Sequence, residues 1–96
     1  MLKAVRVSEI GSGHGCFPTT NVVAGSPDVF IEGLPAARVS DPLAAHGCST
    51  CPTHGRSIAS GSSTVLINGL SAVRVGDTVD CGGVIVTGSG TVFIGG

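Results

Sequence analysis

The chain has no tryptophan and no tyrosine, and only three phenylalanines among its 96 residues. The large rings that fill most small cores are missing, so a core must be assembled from valine, isoleucine, leucine and alanine. Charge is scarce too, at 11% of residues against 42% hydrophobic, which excludes disorder driven by polarity. A net charge of −1 leaves no basic footprint, so nucleic-acid binding is not expected. No run approaches about 18 uninterrupted apolar residues, so no membrane-spanning helix is expected. Met1 to Ile10 contains Lys3 and Arg6 without the apolar stretch of a signal peptide. Glycine is what abounds: sixteen, with five prolines, enough to rule out long helices. The length accommodates one small domain, residues 1–96.

Such a chain is hard to stabilise. Ordering each backbone residue costs roughly 1–2 kcal/mol, and glycine loses the most freedom. Small domains in this position add a disulfide, a metal or a partner. Four Cys and three His are the available staples, and the scarcity of charge suggests that a partner covers part of the surface.

Internal repetition is the strongest signal. Gly25 to Asp41 aligns without gaps on Gly61 to Asp77, with ten of 17 positions identical. Ala4 to Glu9 repeats the second half of this block, and Gly88 to Ile94 the first half. The chain therefore divides into three units, about 3–34, 35–70 and 71–96. Each runs from an Arg-Val strand through a loop to a Gly-Ser-x-x-Val-x-Ile strand. In the latter strands Val29/Ile31, Val65/Ile67 and Val92/Ile94 share one face, and Phe30, Leu66 and Phe93 the other. Either both faces are core, or one of them meets a partner chain. Arg6, Arg38 and Arg74 are each followed three residues on by Glu9, Asp41 or Asp77. These read as turn-closing ion pairs on the surface, worth about 0–1 kcal/mol each.

Pro35-Ala36-Ala37-Arg38, its variant Ser71-Ala72-Val73-Arg74, the three Gly-Ser-x-x-Val-x-Ile segments and the His-Gly and Cys-Gly pairs of the loops give the chain a close resemblance to the PAAR-repeat proteins. That family forms the sharp tips of type VI secretion systems and contractile phage tails. The resemblance covers essentially the whole chain. It implies an all-β fold: a small Gly-rich cone of three pseudo-equivalent strand–loop repeats with a metal-bound apex. It also implies a non-enzymatic function, capping a trimeric β-helical spike (VgrG-like, or a phage tail spike) and helping to pierce a target envelope. One copy per trimer is expected, because three similar faces in one chain match a threefold axis. Phe30, Leu66 and Phe93 are the expected docking triplet. Effector proteins are expected as separate partners, since the repeats run from Ala4 to within two residues of the last one given. The protein would be made in the cytoplasm and leave at the tip of the apparatus, touching the target membrane transiently.

All seven His and Cys residues fall between the repeated strands: His14 and Cys16, then His46, Cys48, Cys51 and His54, then Cys81. This confinement suggests that the loops converge and are joined by a metal, whose binding free energy becomes folding free energy. His14, His46, His54 and Cys81 each precede a glycine, which would permit a sharp reversal after the ligand. That set draws on all three loops and resembles the family's site of three His and one Cys. It would take one Zn²⁺ per monomer, with Fe²⁺ also acceptable to imidazole. The competing set, Cys48, Cys51 and His54, lies in a single loop and staples less of the chain. Cys16, Cys48 and Cys51 are then buried small residues or a disulfide pair, and disulfide pairing without any metal is the alternative for the whole cluster. No His-Glu-x-x-His or Gly-x-Ser-x-Gly motif is present, and Gly11 to Gly15 lacks the lysine of a phosphate loop. A small metal-dependent enzyme or toxin, or a zinc-binding module, is the alternative function.

Overall fold

A computed structural model describes residues 1–15 and 17–96; of Cys48 and Cys51 it describes the backbone. The described residues contain strands and turns and no helix. They form β1 (Leu2–Lys3), β2 (Ile10–Gly11), β3 (Thr20–Asn21), β4 (Phe30–Ile31), β5 (Leu34–Pro35), β6 (Pro42–Cys48), β7 (Cys51–Ser57), β8 (Leu66–Ile67), β9 (Leu70–Ser71) and β10 (Phe93–Ile94). The body is elongated, with one axis of 39 Å and two equal axes of 23 Å. No helix is long and apolar enough to cross a membrane.

β4–β5 and β8–β9 are tight hairpins of the same register, Phe30↔Pro35 and Leu66↔Ser71. Their two-residue turns, Glu32-Gly33 and Asn68-Gly69, have positive φ at both positions, the conformation whose twist matches antiparallel strands. β1 pairs with β10 in the corresponding register, Leu2↔Ile94 and Lys3↔Phe93. Two residues further along, the Val5 N–H donates to the Val73 carbonyl (3.0 Å), the Val73 N–H to that of Ala37 (3.3 Å), and the Ala37 N–H to that of Val5 (3.0 Å). Three segments far apart in sequence thus close a ring of hydrogen bonds. The Arg-Val segments read as strands are joined here by isolated bridges instead: Ala4↔Arg74, Arg6↔Ala36 and Arg38↔Ala72. The chain turns away immediately after each arginine, which leaves no room for a longer ladder.

That turn is the same three times. Glu9, Asp41 and Asp77 donate their N–H to the carbonyls of Arg6, Arg38 and Arg74, with positive φ at Ser8, Ser40 and Gly76. The carboxylates fold back to pair with those arginines at 2.6–3.0 Å. The three acids are buried, which corrects the expectation of exposed pairs. Hydrogen bonds to charged groups contribute about 1.5–3 kcal/mol when sheltered, so these turns matter more than surface ion pairs.

Two apolar clusters lie beside the ring. One joins Ala4, Ala36 and Ala72 to Ile31, Ile67 and Ile94. The other joins Val5, Ala37 and Val73 to Val22, Ile58, Ile85, Leu43 and Val79, with Cys81 packed against it. Full burial of each valine or isoleucine contributes about 1.5–3 kcal/mol. Val29 and Val65 do not follow the isoleucines of their face into the core, being 37% exposed. The isoleucines are buried, while Phe30, Leu66 and Phe93 are 57%, 63% and 46% exposed.

Candidate metal centre

Three chain segments meet beside the larger cluster. The first is the β2–β3 hairpin, narrowed at its tip by mutual backbone hydrogen bonds between His14 and Phe17. The second is the long β6–β7 hairpin, where His46 lies directly opposite His54. The sequence reading made this segment a loop; two register shifts, one on each side of the histidine pair, break the hydrophobic alternation that would have revealed a strand. The third is the turn after Val79, held to β7 by the Asp80 carboxylate, which accepts the Ser57 N–H (3.0 Å) and hydroxyl (2.9 Å). Those bonds keep the Asp80 carboxyl below its ordinary value and fix the position of Cys81.

Cross-strand neighbours project to the same face of a hairpin. The result is that one ligand atom from each of His14, His46, His54 and Cys81 lies within 4.8 Å of the others. His46 Nδ1 is 2.8 Å from the Pro18 carbonyl and His54 Nδ1 is 3.0 Å from that of Gly55. A carbonyl only accepts, so both rings carry a proton on Nδ1, and in the neutral form each presents a bare Nε2. These two bare nitrogens face each other at 3.0 Å. The Cys81 Sγ is 3.7 Å from His46 Nε2, and the buried His14 Nε2 has no hydrogen-bond partner. Burial and the neighbouring His46 and His54 hold His14 below the usual histidine value.

Facing lone pairs repel unless a cation lies between them. An ion with tetrahedral bonds of about 2.0–2.1 Å to nitrogen and 2.3 Å to sulfur would separate its ligands by about 3.3 Å (N to N) and 3.6 Å (S to N). The His46–His54 and Cys81–His46 separations, 3.0 and 3.7 Å, match that spacing to within a few tenths of an ångström, while the full set of four atoms spans up to 4.8 Å. The group can therefore hold a metal ion. Carbonyl bonds to the far nitrogens of His46 and His54 are the usual means of orienting imidazole ligands.

The four residues are those expected from the glycine that follows each, but the reason holds for only two. Gly15 and Gly82 have positive φ, +55° and +104°; Gly47 and Gly55 sit in the strands of the β6–β7 hairpin. At Gly47 the need is space: a Cβ there would come 2.5 Å from Thr53 Oγ1. The alternatives raised for Cys16, and for the side chains of Cys48 and Cys51, lie outside the described residues.

Sequence reasoning missed two neighbours of the site. The Phe17 ring lies 4.9, 4.8 and 4.5 Å from the rings of His14, His46 and His54, and walls the cluster with apolar surface. Its signal was an aromatic three residues from a histidine in a chain with so few. Arg56 is buried beside the site, and is the one arginine outside the Arg-Val repeats.

Compared with known families, residues 12–87 of the chain match the model described as PAAR motif. No curated protein matches the chain.

Proposed function

The chain belongs to the PAAR-motif family, whose members are structural spike tips of secretion and phage-tail machines, and on that premise we propose that it caps a trimeric β-helical spike as a non-enzymatic point. The observation that carries this reading is the exposed triplet Phe30, Leu66 and Phe93, set on three strand pairs of matching register. Three equivalent apolar side chains on one chain suit a partner with a threefold axis. Short exposed strand edges invite continuation by another chain's strands.

His14, His46, His54 and Cys81 would hold one Zn²⁺, with Fe²⁺ the second choice. A bound ion would fix three turn-rich segments to one point and supply the stiffness that a Gly-rich chain lacks. A four-ligand site leaves no position for water, which argues against hydrolysis. In this reading the protein is a cone with the metal at its apex, residues 1–96 are one domain, and the protein acts where the apparatus meets its target. Effectors, where present, would attach as partners.

The test is the mass of the complex with the cognate spike. One copy per spike trimer is expected, and three copies would overturn the stoichiometry. A Phe30→Asp, Leu66→Asp, Phe93→Asp variant should keep its thermal stability and lose docking. Retained docking by a folded triple variant would reject this face.

A further inference from the structure

Arg56 stands out among the buried side chains. It is 3% exposed, yet among the described residues it forms no ion pair with a carboxylate, and its Nε has no hydrogen-bond partner. A buried cation without a counter-ion is costly, and an apolar side chain of similar length would usually be the more stable choice. The guanidinium instead spends its donors on neutral acceptors. Nη2 donates to the Ser12 carbonyl (2.6 Å), Nη1 donates to the Thr20 hydroxyl (2.8 Å), and Nη1 lies 3.5 Å from the Gly11 carbonyl. A Cβ at Gly83 would come 3.3 Å from Nη2, so the group also lies against the third segment. Ser12 in turn is tied to Val84 through its own N–H (2.8 Å) and its hydroxyl (2.9 Å).

Three of the positions involved fall two residues from a ligand: Ser12 from His14, Arg56 itself from His54, and Gly83 from Cys81. We propose that Arg56 is the positioning residue of the metal centre, a buried fork that sets the three ligand-bearing segments in register before the ion enters. The inference rests on the metal reading of the His/Cys cluster. Charge is not the reason for keeping it, because a cation here opposes the approach of a second cation. Geometry is: a planar group with five donors reaches both arms of the β2–β3 hairpin at once, whereas a lysine ammonium is a single point.

The two explanations differ in sign. Arg56→Met removes the adverse charge along with the fork. Positioning requires its affinity for Co²⁺, titrated alone and followed by the absorption of the tetrahedral ion, to fall about ten- to a hundredfold, the usual effect of losing a group that orients ligands. Arg56→Lys should restore little of the loss. Ile67→Val, a core change in the other apolar cluster, controls for destabilisation alone and should move the affinity much less at a comparable loss of thermal stability. An affinity of Arg56→Met within twofold of wild type, or higher, overturns the proposal, as does a loss no larger than the control's. Should Arg56→Met fail to fold, Thr20→Val decides: a several-fold loss of affinity supports the positioning role and an unchanged affinity rejects it. Wild-type protein that binds no Co²⁺ or Zn²⁺ would overturn the metal reading itself.

Discussion

Ser89 donates its hydroxyl to the Glu32 carboxylate, which sits in the turn of a hairpin 57 residues earlier in the chain. The same relation recurs: Ser26 donates to Asn68 Oδ1 (2.7 Å) and Ser62 to the Gly95 carbonyl (2.9 Å). Each serine also accepts the N–H groups two and three residues ahead, at 2.9–3.2 Å. One buried hydroxyl thus closes its own turn and ties it to a distant segment, a hairpin turn for Ser26 and Ser89 and the stretch after β10 for Ser62, which gives the repeated Gly-Ser pair a physical reason.

Replacing any of these serines with alanine removes a buried hydroxyl and leaves two part-buried N–H groups without their acceptor. Ser26→Ala, Ser62→Ala and Ser89→Ala should each lower unfolding free energy by about 1–3 kcal/mol. Chemical denaturation measures this, and three near-neutral results would contradict the assignment.

Glu32 also accepts the Thr91 hydroxyl and pairs with Arg6. The hydroxyls of Ser89 and Thr91 hold its carboxyl below the ordinary glutamate value. A carboxyl depressed in the folded state adds stability above its unfolded pKa of about 4.3, and that stability is lost as pH falls through the folded value. Melting temperature should therefore drop below about pH 4, and Glu32→Gln should flatten that part of the profile. An identical acid limb in the variant would exclude Glu32 as a contributor.

The turn after each arginine offers a test of backbone strain. Ser8, Ser40 and Gly76 occupy equivalent positions at φ of 84°, 83° and 96°, and a Cβ at Gly76 would meet nothing within 4 Å. Gly76→Ala should cost about 1 kcal/mol through conformation alone, whereas Ser40→Gly should be tolerated or stabilising. Differential scanning calorimetry of the two variants checks the sign.

Alanine at His14, His46, His54 or Cys81 should weaken metal binding by more than about a hundredfold, since groups that only orient ligands already cost 10–100-fold. Cys51→Ala should have a far smaller effect. Elemental analysis should find one ion per wild-type chain; folded protein that is metal-free when isolated would contradict the assignment.

Phe17→Ala should open the wall beside the three imidazoles and speed metal loss to a chelator, with the equilibrium fold retained. Phe17→Leu should restore much of the slow release. Equal release rates in all three proteins would show that the ring does not shield the site.

The framework was legible because it is written three times. Val29, Val65 and Val92, with the isoleucines two residues on, marked the repeated segments while leaving open which face is core, and the following glycines pointed to the four clustered residues. The β6–β7 hairpin was not legible, because its two register shifts erase the period on which strand recognition depends. Arg56 and the buried serines were hidden for another reason: their partners lie 33–57 residues away in the chain, and no local pattern encodes such contacts. The burial of Glu9, Asp41 and Asp77 was likewise invisible, since an Arg-x-x-acid spacing reads the same on a surface as beneath one.

The ring of Val5, Ala37 and Val73 also constrains how the protein is made. Its bonds join residues 32 to 68 positions apart, and β1 must wait for β10 before its edge is covered. A nascent chain still lacking residues 73–94 can close neither, so it leaves the ribosome with its first segment unpaired. Loop-closure entropy must be met before any of these contacts is made, which places such folds among the slow ones. Folding should thus be a late, all-at-once event, completed only after synthesis has passed Ile94.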